Sequence, residues 1–224
     1  MIVAPPRFAT TRHSSLSRKS EMKIKILALL GLLAIVAIAL GWFLLSSSVS
    51  NNAKIAAVTA LQDSLGRNLK RGTLIIVDFT QPSQSKRLAV LNIETGTILF
   101  YAKVAHGKNS GVVYASKLSN IIDSLQSSAG LFEVTESFNG KKGPSLRLKG
   151  LNPHLNGNAE IRGIIMHSAE YVSWYSIVAN WKERFRLGRS EGCFVLSNSD
   201  FQELKINLVR PAYLYAYQDD EKAR

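Results

Sequence analysis

The sequence predicts a mostly β domain with a few helices, set behind an apolar segment near the N-terminus. Three observations predict it. From residue 73 onward, short apolar runs recur between clusters of Gly, Pro, Asn and Ser, the pattern of strands and turns. Spacing of apolar residues by three and four is confined to a few stretches. Residues 26–45 carry no charged side chain at all.

That uncharged run is long enough to matter. A helix over 26–45 would extend roughly 30 Å, the thickness of a bilayer core. Arg7, Arg12, Arg18, Lys19, Lys23 and Lys25 precede it, against a single acid, Glu21. Basic flanks stay in the cytoplasm, so the C-terminal bulk is expected on the far side. The apolar core of a cleaved signal is usually only ~7–15 residues, so the run reads as an anchor. The serines at 46–48 keep a cleaved signal as the alternative. The expected organisation is a basic cytoplasmic tail at 1–25, the anchor or signal at 26–45, a linker and helix at 46–72, the folded domain at 73–219 and a short tail at 220–224.

The elements follow in order. Residues 51–70 place Ile55, Val58, Leu61, Leu65 and Leu69 at helical spacing, with Asn51 or Asn52 as the cap. Residues 74–77 are a first strand. Residues 88–93 and 97–104 flank Glu94-Thr95-Gly96 as a hairpin. Residues 105–130 are poor in regular signal. Residues 131–138, 145–151 and 162–167 read as three more strands, the first two joined by the turn Asn139-Gly140-Lys141-Lys142-Gly143. From Tyr171 to Leu187 the aromatic residues share one helix face, which packs on the sheet or walls a cleft. Residues 193–196 are another short apolar run. Ser199 and Gln202 form a capping box before a helix over 201–208, which Pro211 follows. Residues 213–217 close the domain as a strand.

The net charge is +12, with six basic and one acidic residue in the first 45 and 22 and 15 in the remainder. A modestly basic exported domain suits an anionic envelope polymer or membrane surface. The charges are scattered and no nucleic-acid-binding motif appears, so nucleic acid is not expected as a partner. No glycine-rich phosphate loop follows a strand, and the histidines lack ligand spacing, so neither a cofactor nor a metal is expected.

Cys193 is the only cysteine. Beyond the membrane a lone thiol has no disulfide partner in its own chain. It is either a small buried apolar residue or a reactive group. Thiolate chemistry needs a lowered thiol pKa or an adjacent base. His167 is the best candidate base, because it ends a strand where a side chain can enter a cleft. His106 is a second candidate cleft residue. Gly192 lets a substrate approach the backbone closely, and the N–H groups near Gly192 and Cys193 are candidates for an oxyanion hole. Arg189 can raise thiolate character or hold a carboxylate. Glu191 next to the thiol would oppose a low pKa unless it points away.

Six ordered stretches resemble the L,D-transpeptidase catalytic domain in its divergent murein branch, related to the YkuD domains. They are Asp78-Phe79-Thr80-Gln81-Pro82-Ser83 with Lys86-Arg87-Leu88, His106-Gly107-Lys108-Asn109-Ser110-Gly111, Ser127-Ser128-Ala129-Gly130, Ser145-Leu146-Arg147-Leu148-Lys149-Gly150-Leu151, Ile164-Ile165-Met166-His167-Ser168 and Gly188-Arg189-Ser190-Glu191-Gly192-Cys193. The resemblance implies a β-sandwich-like catalytic fold and a peptidoglycan stem peptide as substrate; the apolar segment and its flanks give the expected location, the cell inner membrane with a periplasmic domain, or the periplasm if the segment is cleaved. Residue by residue the resemblance implies Cys193 as nucleophile, His167 as base, Ser168 beside it, and Ser190 and Gly192 framing the nucleophile. Arg189, Ser190, His106 and Asn109 are the expected substrate-binding residues. Classical members carry a histidine where this chain has Glu191, and the divergent branch has proline where this chain has Phe194. Two alternatives stay open on sequence alone. One is an L,D-carboxypeptidase or wall-protein-releasing hydrolase with the same nucleophile. The other is an inactive peptidoglycan-binding module.

Overall fold

In the computed structural model, residues 22–36, 49–66, 69–173 and 187–219 are described. The chain divides into two units, Met1–Leu45 and Ser46–Arg224. In the first, residues 22–36 form helix α1, whose side chains are all exposed. Among the described residues no helix is long and apolar enough to cross a membrane. Residues 37–45 of the expected anchor lie outside the described residues. So do residues 174–186, which hold most of the expected aromatic helix.

The second unit is built on one mixed sheet. Its strands are β1 (Thr73–Asp78), β2 (Leu88–Asn92), β3 (Ile98–Ala102), β5 (Gly130–Gly140), β6 (Gly143–Gly150), β7 (Ile165–Ser168), β9 (Phe194–Leu196) and β10 (Ala212–Tyr217), in the order β3-β2-β1-β10-β5-β6-β7-β9. β10 runs parallel to β1 and antiparallel to β5, so the last strand lies inside the sheet. A small parallel pair, β4 (His106–Gly107) with β8 (Gly188–Ser190), stands apart.

The fold is mostly β as expected, and the main sheet folds over on itself. β1 and β9 are five steps apart in strand order. At ~4.8 Å per step a flat sheet would hold them about 24 Å apart. Yet Phe79, just after β1, stacks on Phe194 of β9 with ring centroids 5.8 Å apart. Phe132 of β5 meets the same ring edge-on at 5.6 Å. The sheet therefore curls around one core containing Ile75, Val77, Phe132, Leu146, Met166 and Phe194. Each aromatic pair adds about 0.5–1.5 kcal/mol beyond area burial.

The other face of β1 and β10 is covered by helix α2 (Asn51–Leu65). Ser50 caps it, its hydroxyl accepting from Ala53 N–H, so the cap lies one residue before Asn51. The buried stripe also differs from the expected one. Ala53, Ala57 and Leu61 face the sheet, while Ile55 is 65% exposed. The sheet face there carries Tyr213, Tyr215 and Tyr217, and the small alanine stripe lets the helix approach such bulky side chains. The final helix, α3 (Asn198–Asn207), is capped by Ser197 accepting from Asp200 N–H, not by Ser199. Arg162 and Gly163, expected in a strand, instead form the turn ahead of β7.

Candidate active site

Two neighbouring strands set up the site. β7 and β9 are parallel, with Met166 opposite Phe194 and His167 opposite Val195. Side chains alternate across a strand. Met166, Phe194 and Leu196 enter the main core, so Ile165, His167 and the residue just before β9, Cys193, take the other face. These three line one cleft of about 360 Å³, together with Lys142, Arg162, Tyr171, Arg189, Ser190 and Glu191. Lys142 is there because β5 and β6 pair to Gly140 opposite Gly143, which leaves Lys141 and Lys142 as a two-residue turn.

The thiol of Cys193 donates to Gly163 O at 3.6 Å. Burial pushes its pKa up, and Glu191 adds to that. The Ile165 N–H, Lys142 and Arg162 pull the other way, favouring the thiolate, but the net shift is upward. His167 is 5% exposed. Its Nδ1 lies 2.9 Å from Ser168 O. A carbonyl only accepts, so Nδ1 carries the proton and Nε2 keeps a lone pair. Nε2 has no hydrogen-bond partner among the described residues. Burial lowers the His167 pKa, outweighing the Ser168 contact that raises it, and Lys142 lowers it further. Both shifts favour the neutral forms, thiol and imidazole. Among the described residues no hydrogen bond joins the two.

The turn before the thiol is tightly held. Gly192 has φ +118°, a region that favours glycine, and a Cβ there would come 2.8 Å from Gln126 O. Ser190 Oγ donates to Cys193 O at 2.7 Å and accepts from Gly192 N–H at 3.3 Å. Of the two N–H groups expected to form an oxyanion hole, that of Gly192 is thus already engaged. Arg189 is exposed and packs its guanidinium 5.3 Å from the Tyr171 ring centroid. Glu191 reaches Lys108 at 3.5 Å across the exposed rim, a pair of little energetic weight.

Two expected substrate-binding residues are not brought to the cleft. His106 is fully buried, and both ring nitrogens are used. Arg87 Nη2 donates to Nδ1 at 2.7 Å, and Nε2 donates to Gly111 O at 3.0 Å. Asn109 ties its own loop to the next, donating to Ser124 O at 3.0 Å. Sequence reasoning also missed two cations of the cleft. Lys142 was within reach, since the hairpin signal at 139–143 fixes the tip. Arg162 was hidden, because its turn reads as a strand start. Its guanidinium donates to Ser128 Oγ at 2.6 Å and Ser124 Oγ at 3.0 Å, and also to the carbonyls of Ser119 and Gln126. Among the described residues no three His, Cys, Asp or Glu side chains converge as a metal site would require.

Comparison with known proteins gives a family. Residues 46–217 match the profile of the L,D-transpeptidase catalytic domain. No curated protein sequence matches the chain. Among solved structures it is similar to an L,D-transpeptidase from Mycobacterium smegmatis, at 11% identity and a TM-score of 0.40 over 66% of this chain and 59% of that one. It is also similar to an L,D-transpeptidase from Mycobacterium tuberculosis H37Rv, at 12% identity and a TM-score of 0.41 over 66% and 58%. A third, from Xylanimonas cellulosilytica DSM 15894, gives 15% and 0.38 over 71% and 68%. The chain thus spans less than two thirds of the first two. With more than half of its length matched to that one profile, the chain belongs to the L,D-transpeptidase catalytic domain family.

Proposed function

We propose that this chain is a cysteine-dependent L,D-transpeptidase acting on peptidoglycan stem peptides, anchored in the inner membrane by residues 26–45 with its domain in the periplasm. The observation that supports the chemistry best is the shared cleft of Cys193 and His167, with Nδ1 of the imidazole committed and Nε2 open. In the donor step Nε2 takes the thiol proton as Sγ attacks the carbonyl of the third stem residue. The S–C bond forms and the carbonyl π pair moves to oxygen. Collapse of the tetrahedral species breaks the C–N bond, and the imidazolium gives its proton to the departing D-alanine amine. A thioester remains. In the acceptor step His167 takes a proton from a second stem's amine as it attacks, the C–S bond breaks, and the imidazolium returns that proton to the departing thiolate. Water in place of the amine would make the enzyme a carboxypeptidase.

Among the described residues of the cleft, Lys142, Arg162 and Arg189 outnumber Glu191. A stem peptide brings carboxylates to the same place, so this excess of positive charge favours binding. The test is intact-mass spectrometry of the full-length protein in detergent after exposure to a carbapenem. A covalent adduct is expected on the wild type and none on Cys193→Ala, which should keep the wild-type melting temperature. An adduct that persists in Cys193→Ala would end the nucleophile assignment. Stem peptides with and without a competing amine then separate transfer from hydrolysis.

A further inference from the structure

Ser127 sits in the stretch of least regular structure and is completely buried. All of its polar atoms are engaged. Its N–H donates to Ser110 Oγ at 2.9 Å, and its carbonyl accepts from Ser119 N–H at 2.9 Å. Its hydroxyl lies 3.0 Å from Gly107 N and 3.0 Å from Gly192 O. The direction of these last two bonds is fixed by chemistry. Gly107 N–H can only donate, so Oγ accepts there, and its single proton goes to the Gly192 carbonyl.

That carbonyl belongs to the same peptide unit as the Cys193 N–H. In a planar trans peptide the C=O and N–H point in opposite directions. Holding Gly192 O on Ser127 therefore turns the Cys193 N–H away from Ser127. Ser190 holds the next peptide unit through Cys193 O. The two serines thus fix the peptide planes on both sides of the nucleophile. Gly192 needs this, since glycine at φ +118° has little intrinsic resistance to a peptide flip. The anchor for Ser127 is Arg162, which binds Ser124, Gln126 and Ser128 on either side of it.

We infer that Ser127 is a positioning residue for acyl transfer: its hydroxyl clamps the Gly192 carbonyl so that the Cys193 N–H is aimed to receive the oxyanion. The inference rests on Cys193 being the nucleophile of the proposed reaction.

Two reactions at one sulfur test it, on the full-length protein. Alkylation by iodoacetamide forms an S–C bond and expels iodide with no oxyanion. Acylation by a carbapenem opens the lactam through one. Loss of an oxyanion donor costs on the order of 10²-fold or more. Ser127→Ala is therefore expected to slow acylation by about that factor, with alkylation within about 2-fold of wild type and its pH profile unmoved. Equal loss of both rates, or of neither, overturns the inference. Where Ser127→Ala does not fold, Ser127→Thr and Ser127→Val take its place. They have nearly the same shape and differ in the hydroxyl, so Val should acylate at least about 10-fold more slowly than Thr, with equal alkylation. Equal acylation of that pair overturns the inference. A wild type that alkylates but does not acylate overturns the acyl-transfer reading and this one with it, whereas a selective difference among the variants bears on Ser127 alone.

Discussion

Two buried histidines, both candidate cleft residues from the sequence, have opposite chemistry. His106 and His167 each sit on a short strand, and burial lowers the pKa of both. Around His106 every valence is used. Arg87 supplies a donor to Nδ1, and Gly111 O accepts from Nε2. Arg87 itself donates to Val104 O and Gln81 O, with its guanidinium 5.0 Å from the Phe79 ring centroid. At His167 one nitrogen is committed to Ser168 O, the other has no hydrogen-bond partner among the described residues, and the residue lines the cleft with Cys193. A histidine becomes a base by having one nitrogen left over, not by being buried or by ending a strand.

His167→Ala is expected to slow carbapenem acylation by about 10²–10⁴-fold, the range for loss of a general base, with little change in the melting curve. An acylation rate within a few-fold of wild type would remove the distinction. His106→Gln should do the reverse. It is expected to lower stability by about 2 kcal/mol, because Arg87 and Gly111 O lose well-placed partners, and this is read from denaturant unfolding. Alkylation of the folded variant at Cys193 should stay close to the wild-type rate.

Acid sharpens the contrast. The buried His106 is pushed down to about 3, by burial first and by Arg87 second. An unfolded imidazole takes up a proton near pH 6.5. Between those values the unfolded state binds more protons than the folded one, so stability present above about pH 6.5 is lost as the pH falls. His106→Gln should flatten that acid limb in a urea-midpoint series. An unchanged limb would mean that other groups carry it.

The smallest effect belongs to the rim. Glu191→Gln should change stability by no more than a few tenths of a kcal/mol, since its pair with Lys108 is exposed. Because Glu191 raises the thiol pKa, its removal should move the alkylation profile slightly toward lower pH. A shift toward higher pH would contradict that sign.

Regular structure was legible wherever apolar runs met turn residues. β1, the hairpins and β10 fall within a residue or two of their expected places, since those patterns are local. Three things were not local. The buried face of α2 is decided by the strand tyrosines it packs on, so Ala53 and Ala57 won over Ile55. β4 and β8 are too short to leave a pattern and are fixed by pairing across some eighty residues of chain. Ser127 and Arg162 act through hydrogen bonds to groups far away in sequence, and no periodicity announces a hydrogen bond. For the site itself, Cys193 and His167 stood out as residue types, while their common cleft depends on the register of β7 against β9.

The position of β10 has a consequence for how the molecule comes into being. The final strand fills the gap between β1 and β5. Until it arrives, the earlier strands form two separate ribbons, and the core they would share stays open. The sheet therefore cannot close before residues 212–217 are in place, and the pocket that depends on it waits for that one strand.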